Sequence, residues 1–169
     1  LDIVSAGKKV FLITDLLDIE LNKKKILSKI CSDLAEKATE EDNYEKTAQL
    51  LSILEDYISS LTEQFDAELE YSVPSPDGLL KLFNIKIEDG DRSLAERLVD
   101  YLNLLYETFN IRYFIVFGLH SFLSKEDLLA FYNFTFLKKY AILSVEHTSP
   151  NFLECEKAFI VDSDLCSFC

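Results

Sequence analysis

The sequence predicts an α/β protein: a head with a mostly parallel sheet covered by helices, and a long helical leg inserted after the first strand. Three observations lead to this prediction. Short, nearly continuous apolar runs alternate with longer amphipathic stretches, as in sheets buried by crossover helices. Two of the amphipathic stretches follow each other with no strand between them. The 169 residues are 49% hydrophobic, enough to build a sizeable core.

The first predicted strand, residues 10–13, is followed by two helices with a polar turn at residues 38–43. Both helices have apolar residues at spacings of three and four, which line one face of a helix. In the first these are Ile26, Leu27, Ile30, Cys31, Leu34 and Ala38, and in the second Ala48, Leu51, Leu54, Ile58, Leu61 and Phe65. This αα-hairpin is the predicted leg domain, residues 22–65, and residues 1–21 and 66–169 form the predicted head domain.

The rest of the head alternates helices and strands. After the breaker VPSPDG at 73–78, the pattern predicts a short helix at 79–84 and a strand at 85–87. Ser93 and Glu96 form a capping box before an apolar stripe, and Ser124 opens a further helix in the same way. Apolar runs predict strands at 113–117, 141–145 and 158–161. The alternation predicts a sheet covered on both faces.

The charge balance argues against nucleic acid at first sight. The net charge is −13, with 17 Lys and Arg against 30 Asp and Glu. Binding to phosphate depends on where the cations lie, however, and not on their total. Clustered carboxylates also suit divalent cations.

A search for enzyme motifs finds none that is specific. The chain has only four glycines, and they form neither a P-loop nor a dinucleotide-binding fingerprint. Asp15 ends an apolar strand in the manner of a Walker B acid, a pattern that is weak without a P-loop. His120 and His147 follow predicted strands, where α/β active sites form, but neither has an evident nucleophile or orienting acid.

The cysteines, Cys31, Cys155, Cys166 and Cys169, have no zinc-ligand spacing, although the last two form a terminal C-x-x-C. We expect free thiols in a reducing cytosol. No signal peptide or membrane-length apolar run is visible. These features predict a cytoplasmic protein without membrane contact.

Three segments resemble the type II-A CRISPR-associated spacer-acquisition family. They are residues 11–18 (FLITDLLD), 79–88 (LLKLFNIKIE) and 123–132 (LSKEDLLAFY), in that order. The likeness runs from about residue 11 to residue 145, and it implies that an N-terminal portion is missing from this sequence. It further implies a non-enzymatic tetrameric ring of heads and legs that binds calcium, threads linear double-stranded DNA, and works beside the integrase and effector nuclease of its locus.

The basic residues give this expectation a chemical basis. Lysines cluster before the first strand and at the start of the leg helix, namely Lys8, Lys9, Lys23, Lys24, Lys25 and Lys29. Lysines at a helix N-terminus are repelled by the positive end of the macrodipole. A phosphate bound there is attracted both by the dipole and by the ammonium groups. We therefore predict that these six residues bind the DNA backbone without reading bases. The alternative is a solvated basic turn.

The resemblance also implies calcium near the head–leg junction. Five acids lie after the second leg helix: Glu63, Asp66, Glu68, Glu70 and Asp77. Asp66, Glu68 and Glu70 match acidic positions of the family, but Ser72 and Val73 stand where it usually has further acids. We predict Ca²⁺ among these five carboxylates, with one family site altered or lost. A solvated acidic loop is the alternative.

Two other functions remain open from the residues. The first is a helical scaffold or interaction module without DNA binding, which the net charge favours. The second is a P-loop nucleotide hydrolase whose glycine-rich loop lies upstream of this sequence, with Asp15 as its metal-binding acid.

Overall fold

The computed structural model describes residues 10–88, 90–161 and 167–168. Its elements are β1 (Val10–Ile13), α1 (Lys24–Ala38), α2 (Glu41–Thr62), α3 (Pro76–Leu82), α4 (Leu94–Phe109), β2 (Tyr113–Phe117), α5 (Leu119–Phe122), α6 (Lys125–Lys138), β3 (Ala141–Val145), β4 (Ile160–Val161) and β5 (Ser167–Phe168). The chain divides into two compact units. The head unit is Leu1–Glu20 with Gly90–Cys169, and the helical unit is Leu21–Asp89.

The head unit is built on a three-stranded parallel sheet in the order β1-β2-β3. Leu12 lies opposite Ile115, and Ile115 lies opposite Leu143, so these three side chains share one face. β4 and β5 form a separate antiparallel pair. The predicted class, α/β with a parallel sheet and a helical insertion after the first strand, is confirmed.

The core of the head unit lies between the sheet and the helices α4 and α6. Both helices begin at the predicted serine caps: Ser93 forms the full capping box, and the Ser124 hydroxyl accepts from the Asp127 N–H at 3.1 Å. Phe114 of β2 and Phe131 of α6 are each only 1% exposed. Burial of such rings supplies much of the driving force for folding.

The sequence predicts helices on both faces of the sheet, but the structure leaves the face opposite α4 and α6 largely exposed. Leu12 is 52% exposed and Leu143 is 58% exposed there. The reason is topological. Both crossovers, β1 to β2 and β2 to β3, step in the same direction across the sheet, and right-handed crossovers then lie on the same side.

In the helical unit, α1 and α2 form the predicted hairpin. The apolar stripe of α1 is buried at Ile26 and half-buried at its other members. Every residue of α2 is described, and none of them is fully buried. Ile53 and Tyr57 are 64% and 59% exposed, so much of the apolar surface of α2 faces outward.

The predicted strand at residues 85–87 is wrong, because this stretch has no regular secondary structure. The side-chain amide of Asn22 takes the place of a strand partner. Its nitrogen donates to the Ile87 carbonyl at 3.0 Å, and its oxygen accepts from the Ile87 N–H at 2.8 Å. An alternating apolar tripeptide looks like a strand, but here a distant side chain satisfies its backbone.

Three predicted boundaries also shift. α3 begins at Pro76 and not at residue 79, because Ser75 caps it and proline suits the first helical position. The last predicted strand, 158–161, is reduced to Ile160–Val161. Residues 66–89, assigned to the head from sequence, cluster with the helical unit. In the part of the chain that the structure describes, no helix is long and apolar enough to cross a membrane.

Candidate functional site

The start of α1 brings three of the predicted lysines together. Lys23 is the N-cap residue, and its carbonyl accepts from the N–H groups of Ile26 and Leu27 at 2.9 and 3.1 Å. Lys24 and Lys25 occupy the first turn of α1, which contains no acidic residue and no side-chain cap among the described residues. Most helices begin with a serine, threonine or acid that offers an oxygen to these N–H groups. This helix begins with cations instead.

Neighbouring residues hold this basic start in place. Leu21 is fully buried and Ile26 is 3% exposed, so the chain is anchored on both sides of the lysines. Asn22 adds its two hydrogen bonds to Ile87. Lys24 and Lys25 remain exposed. The backbone is therefore fixed at the start of a helix on which Lys24 and Lys25 are exposed.

Lys29 lies one turn further along and is engaged within the helix. Its ammonium contacts the Asp33 carboxylate at 2.6 Å. That hydrogen bond, with the charge of Asp33, raises the pKa of Lys29 above its ordinary value. Lys8 and Lys9 lie outside the described residues. The structure thus places Lys23, Lys24 and Lys25 at the cap and first turn of α1 and pairs Lys29 with a carboxylate.

The predicted calcium ligands are distributed along an open segment. Glu63 follows the last turn of α2, while Asp66, Glu68 and Glu70 are exposed in a stretch without helix or strand. Asp77, in the first turn of α3, contacts Lys81 at 2.5 Å. This hydrogen bond and the charge of Asp77 raise the pKa of Lys81.

These carboxylates do not fit a preformed calcium cage. Calcium takes six to eight oxygens converging on one point. Within residues 10–88, 90–161 and 167–168, no three His, Cys, Asp or Glu side chains are grouped so that they could hold a metal ion. The oxygen chemistry of the five acids suits calcium, but their positions in this structure do not bring them together.

Sequence reasoning missed a polar cluster at the carboxyl ends of β2 and β3. The Glu156 Oε1 atom lies 2.7 Å from His120 Nε2 and accepts from the Tyr132 hydroxyl at 2.6 Å. The Glu146 Oε1 atom accepts from the His120 N–H at 3.1 Å and from the Ser144 hydroxyl at 2.6 Å. The expectation that His120 has no orienting acid is therefore wrong. Glu156 lies 36 positions away, so no local pattern could reveal it.

The other sequence-derived candidates have simpler surroundings. Asp15 accepts a hydrogen bond from the Leu17 N–H at 2.8 Å, which closes the turn after β1. His147 is exposed. Cys31 and Cys155 are free thiols, and Cys166 and Cys169 lie outside the described residues. None of these described positions forms a catalytic constellation with the others.

The fold and the site define a mixed α/β protein with a helical insertion and a lysine-rich helix start. A family model described as CRISPR-associated protein (Cas_Csn2) matches residues 3–165. The chain belongs to this family, whose members act in CRISPR adaptation, and the resemblance noted in the sequence is confirmed.

A solved structure shares the fold. The crystal structure of Stu0660 of Streptococcus thermophilus matches with a TM-score of 0.53 at 16% sequence identity. The match covers 85% of this chain and 48% of that chain, so this chain spans about half the length of the solved protein. The likeness supports the α/β head and its helical insertion.

Proposed function

We propose that this chain binds double-stranded DNA through its phosphate backbone, without reading sequence and without catalysis, as a cytoplasmic component of CRISPR spacer acquisition. Membership of the adaptation family supports the biological setting. The observation on which the DNA-binding proposal depends is the acid-free, lysine-capped start of α1. Its N–H dipoles and ammonium groups attract the same ligand, an anion.

The net charge of −13 is compatible with this proposal. At about 0.1 M salt the Debye length is about 10 Å, so exposed carboxylates farther away than that are largely screened. A phosphate at the start of α1 would therefore experience mainly the nearest charges, which are those of Lys23, Lys24 and Lys25 and of the flanking Glu20 and Glu88. Binding should be steeply salt-dependent, because each phosphate neutralised releases condensed counterions.

DNA binding by a ring of protein chains can be tested by comparing linear with closed circular DNA. We expect blunt linear duplex to bind more tightly than closed circular duplex of the same sequence, because a protein ring can thread onto DNA only at a free end. For either form, log K should fall linearly with log salt, with a slope of about −0.9 for each phosphate contacted. Gel shift or fluorescence anisotropy measures both quantities. Equal affinity for the two forms would exclude the ring, and no affinity for either would exclude DNA binding.

We further propose that the chain assembles as a homotetramer and contacts the integrase and effector nuclease of its locus. The exposed apolar surface of α2 supports assembly, since Leu50, Ile53 and Tyr57 follow at spacings of three and four. Isolated monomers rarely expose an apolar helix face of this length. The same observation favours the scaffold alternative, in which α2 binds another protein and DNA has no part.

The solution mass separates assembly from a monomeric scaffold. We expect four chains per particle, and Asp substitution of Ile53 together with Tyr57 should shift the particle to smaller species. Light scattering after gel filtration measures this. A wild-type particle of one chain, with and without calcium, would contradict the tetramer.

Calcium dependence is a separate proposal. Because this structure does not group the five acids, a calcium site would require the segment of residues 66–75 to rearrange or a second chain to supply oxygens. Isothermal titration with calcium chloride should then give binding that weakens in a Glu68→Gln, Glu70→Gln variant. The alternative of a nucleotide hydrolase has no supporting observation among the described residues.

A further inference from the structure

The residues after β3 cross the head unit without forming a helix or strand until β4. We call residues 147–159 the strap. Among the described residues, every hydrogen bond that joins the strap to another element involves a single atom, Glu156 Oε1. This oxygen accepts from the Tyr132 hydroxyl of α6 and is bonded to His120 Nε2 of α5. Phe152 adds an edge-on ring contact to His120, with centroids 6.3 Å apart.

The other carboxylate oxygen of Glu156 closes a turn within the strap. Glu156 Oε2 accepts from the Leu153 N–H at 2.6 Å, and the Glu156 N–H donates to the Leu153 carbonyl at 3.0 Å. The side chains of His120 and Glu156 are only 10% and 13% exposed. Thus one carboxylate both shapes the strap and fastens it to the head.

The partners favour the ionised form of this carboxylate. Burial alone would raise the pKa of Glu156, but the hydrogen bonds from Tyr132, the Leu153 N–H and His120 outweigh it, and the pKa is lowered. Burial, and then the bond to Glu156, raise the pKa of Tyr132, so its phenol stays a donor. An ionised carboxylate accepts all three bonds, whereas a protonated one must turn one oxygen into a donor.

We propose that the strap is detachable and that Glu156 is its latch: loss of the Glu156 negative charge, by protonation or substitution, releases residues 147–159 from the head unit. The strap borders a groove of about 680 Å³ between α6 and β3. Its release opens this groove. His120 from α5 and Tyr132 from α6 contact the Glu156 carboxylate, and Glu146 after β3 and Cys155 within the strap act on Tyr132.

The pH dependence follows from the direction of the shift. Because the folded carboxyl has a lowered pKa, its stabilisation is fully present above the ordinary value of 4.5 and is lost as the pH falls through the lower, folded value. His120 can donate from Nε2 whether its ring is charged or neutral. Acid therefore acts through Glu156, and the strap should stay closed at neutral pH.

Amide hydrogen exchange of the whole chain tests the latch. We expect Glu156→Ala to accelerate exchange of the residue 156 amide, which donates to the Leu153 carbonyl within the strap, about tenfold or more at neutral pH, because the charge-assisted bonds that hold the strap are lost. Exchange in α4 should be unchanged. Wild type should show the same local acceleration as the pH is lowered stepwise below 4.5 and through the folded pKa of Glu156, after correction for intrinsic rates. The matched control is Glu154→Ala, which removes the same charge from an exposed strap position.

Each outcome decides the proposal. If Glu156→Ala exchanges no faster in the strap than Glu154→Ala does, the latch is refuted. If Glu156→Ala also accelerates α4, Glu156→Gln decides, since it removes the charge and keeps the size and shape of the side chain. A strap-confined acceleration in Glu156→Gln supports the latch, and an unchanged strap refutes it.

Discussion

Replacing Phe131 by alanine is expected to lower the free energy of unfolding by about 3–5 kcal/mol. The ring of Phe131 is 1% exposed and lies on the inner face of α6, beside Tyr132 at a centroid distance of 5.7 Å. Removing it loses the transfer energy of the ring and leaves a cavity between helix and sheet. That loss is a large share of the 5–15 kcal/mol that stabilises an ordinary domain.

The matched control lies on the same helix. Phe136 is 82% exposed, so Phe136→Ala should change the stability by no more than about 0.5 kcal/mol. Denaturant unfolding measures both variants, and the slope m should stay constant so that midpoints can be compared. Equal midpoints for the two variants would show that α6 does not pack its Phe131 face against the head.

The contrast between these phenylalanines was accessible from sequence only in part. Leu128, Phe131 and Thr135 follow helical spacing and are the buried residues of α6. The same helix contains Phe136, and spacing alone does not separate this outward ring from the inward one. Serine caps were read correctly at Ser93 and Ser124 because a cap is a local hydrogen-bonded pattern.

The structural features that could not be predicted from sequence depend on contacts between residues far apart in the chain. Asn22 lies 65 positions from Ile87, and its amide satisfies a backbone that would otherwise pair as a strand. Glu156 reaches His120 across 36 positions. The exposed sheet face at Leu12 and Leu143 reflects the side on which the crossovers lie. Periodicity within one element contains no information on any of these.

The position of Lys23, Lys24 and Lys25 follows from a local pattern. It could be predicted, because the helix pattern begins directly after Asn22. The i, i+4 spacing of Lys29 and Asp33 on this helix permits an ion pair, and the structure forms it at 2.6 Å. Lys24 and Lys25 lie in the first turn of α1 and are exposed. Their removal should matter most for DNA, because they lie beside the N–H groups that attract an anion at this helix start.

Replacing Lys24 and Lys25 together by alanine is expected to weaken binding to linear duplex by at least about tenfold at low salt and to reduce the magnitude of the salt slope by about 2. Each lysine that neutralises a phosphate accounts for about one unit of slope. The loss should be equal for duplexes of different sequence, because contacts to phosphate do not distinguish bases.

A control variant of equal charge makes the prediction specific to the start of α1. Lys37 in the last turn of α1 and Lys46 in α2 are both exposed on the helical unit. Replacing them by alanine also removes two positive charges, but away from the start of α1. If binding depended on total charge, the two double variants would lose affinity equally. If the helix start binds phosphate, only Lys24→Ala, Lys25→Ala lowers the slope, since dipole and ammonium groups act on one anion there. Equal salt slopes in both variants would show that DNA contacts a part of the chain other than the start of α1.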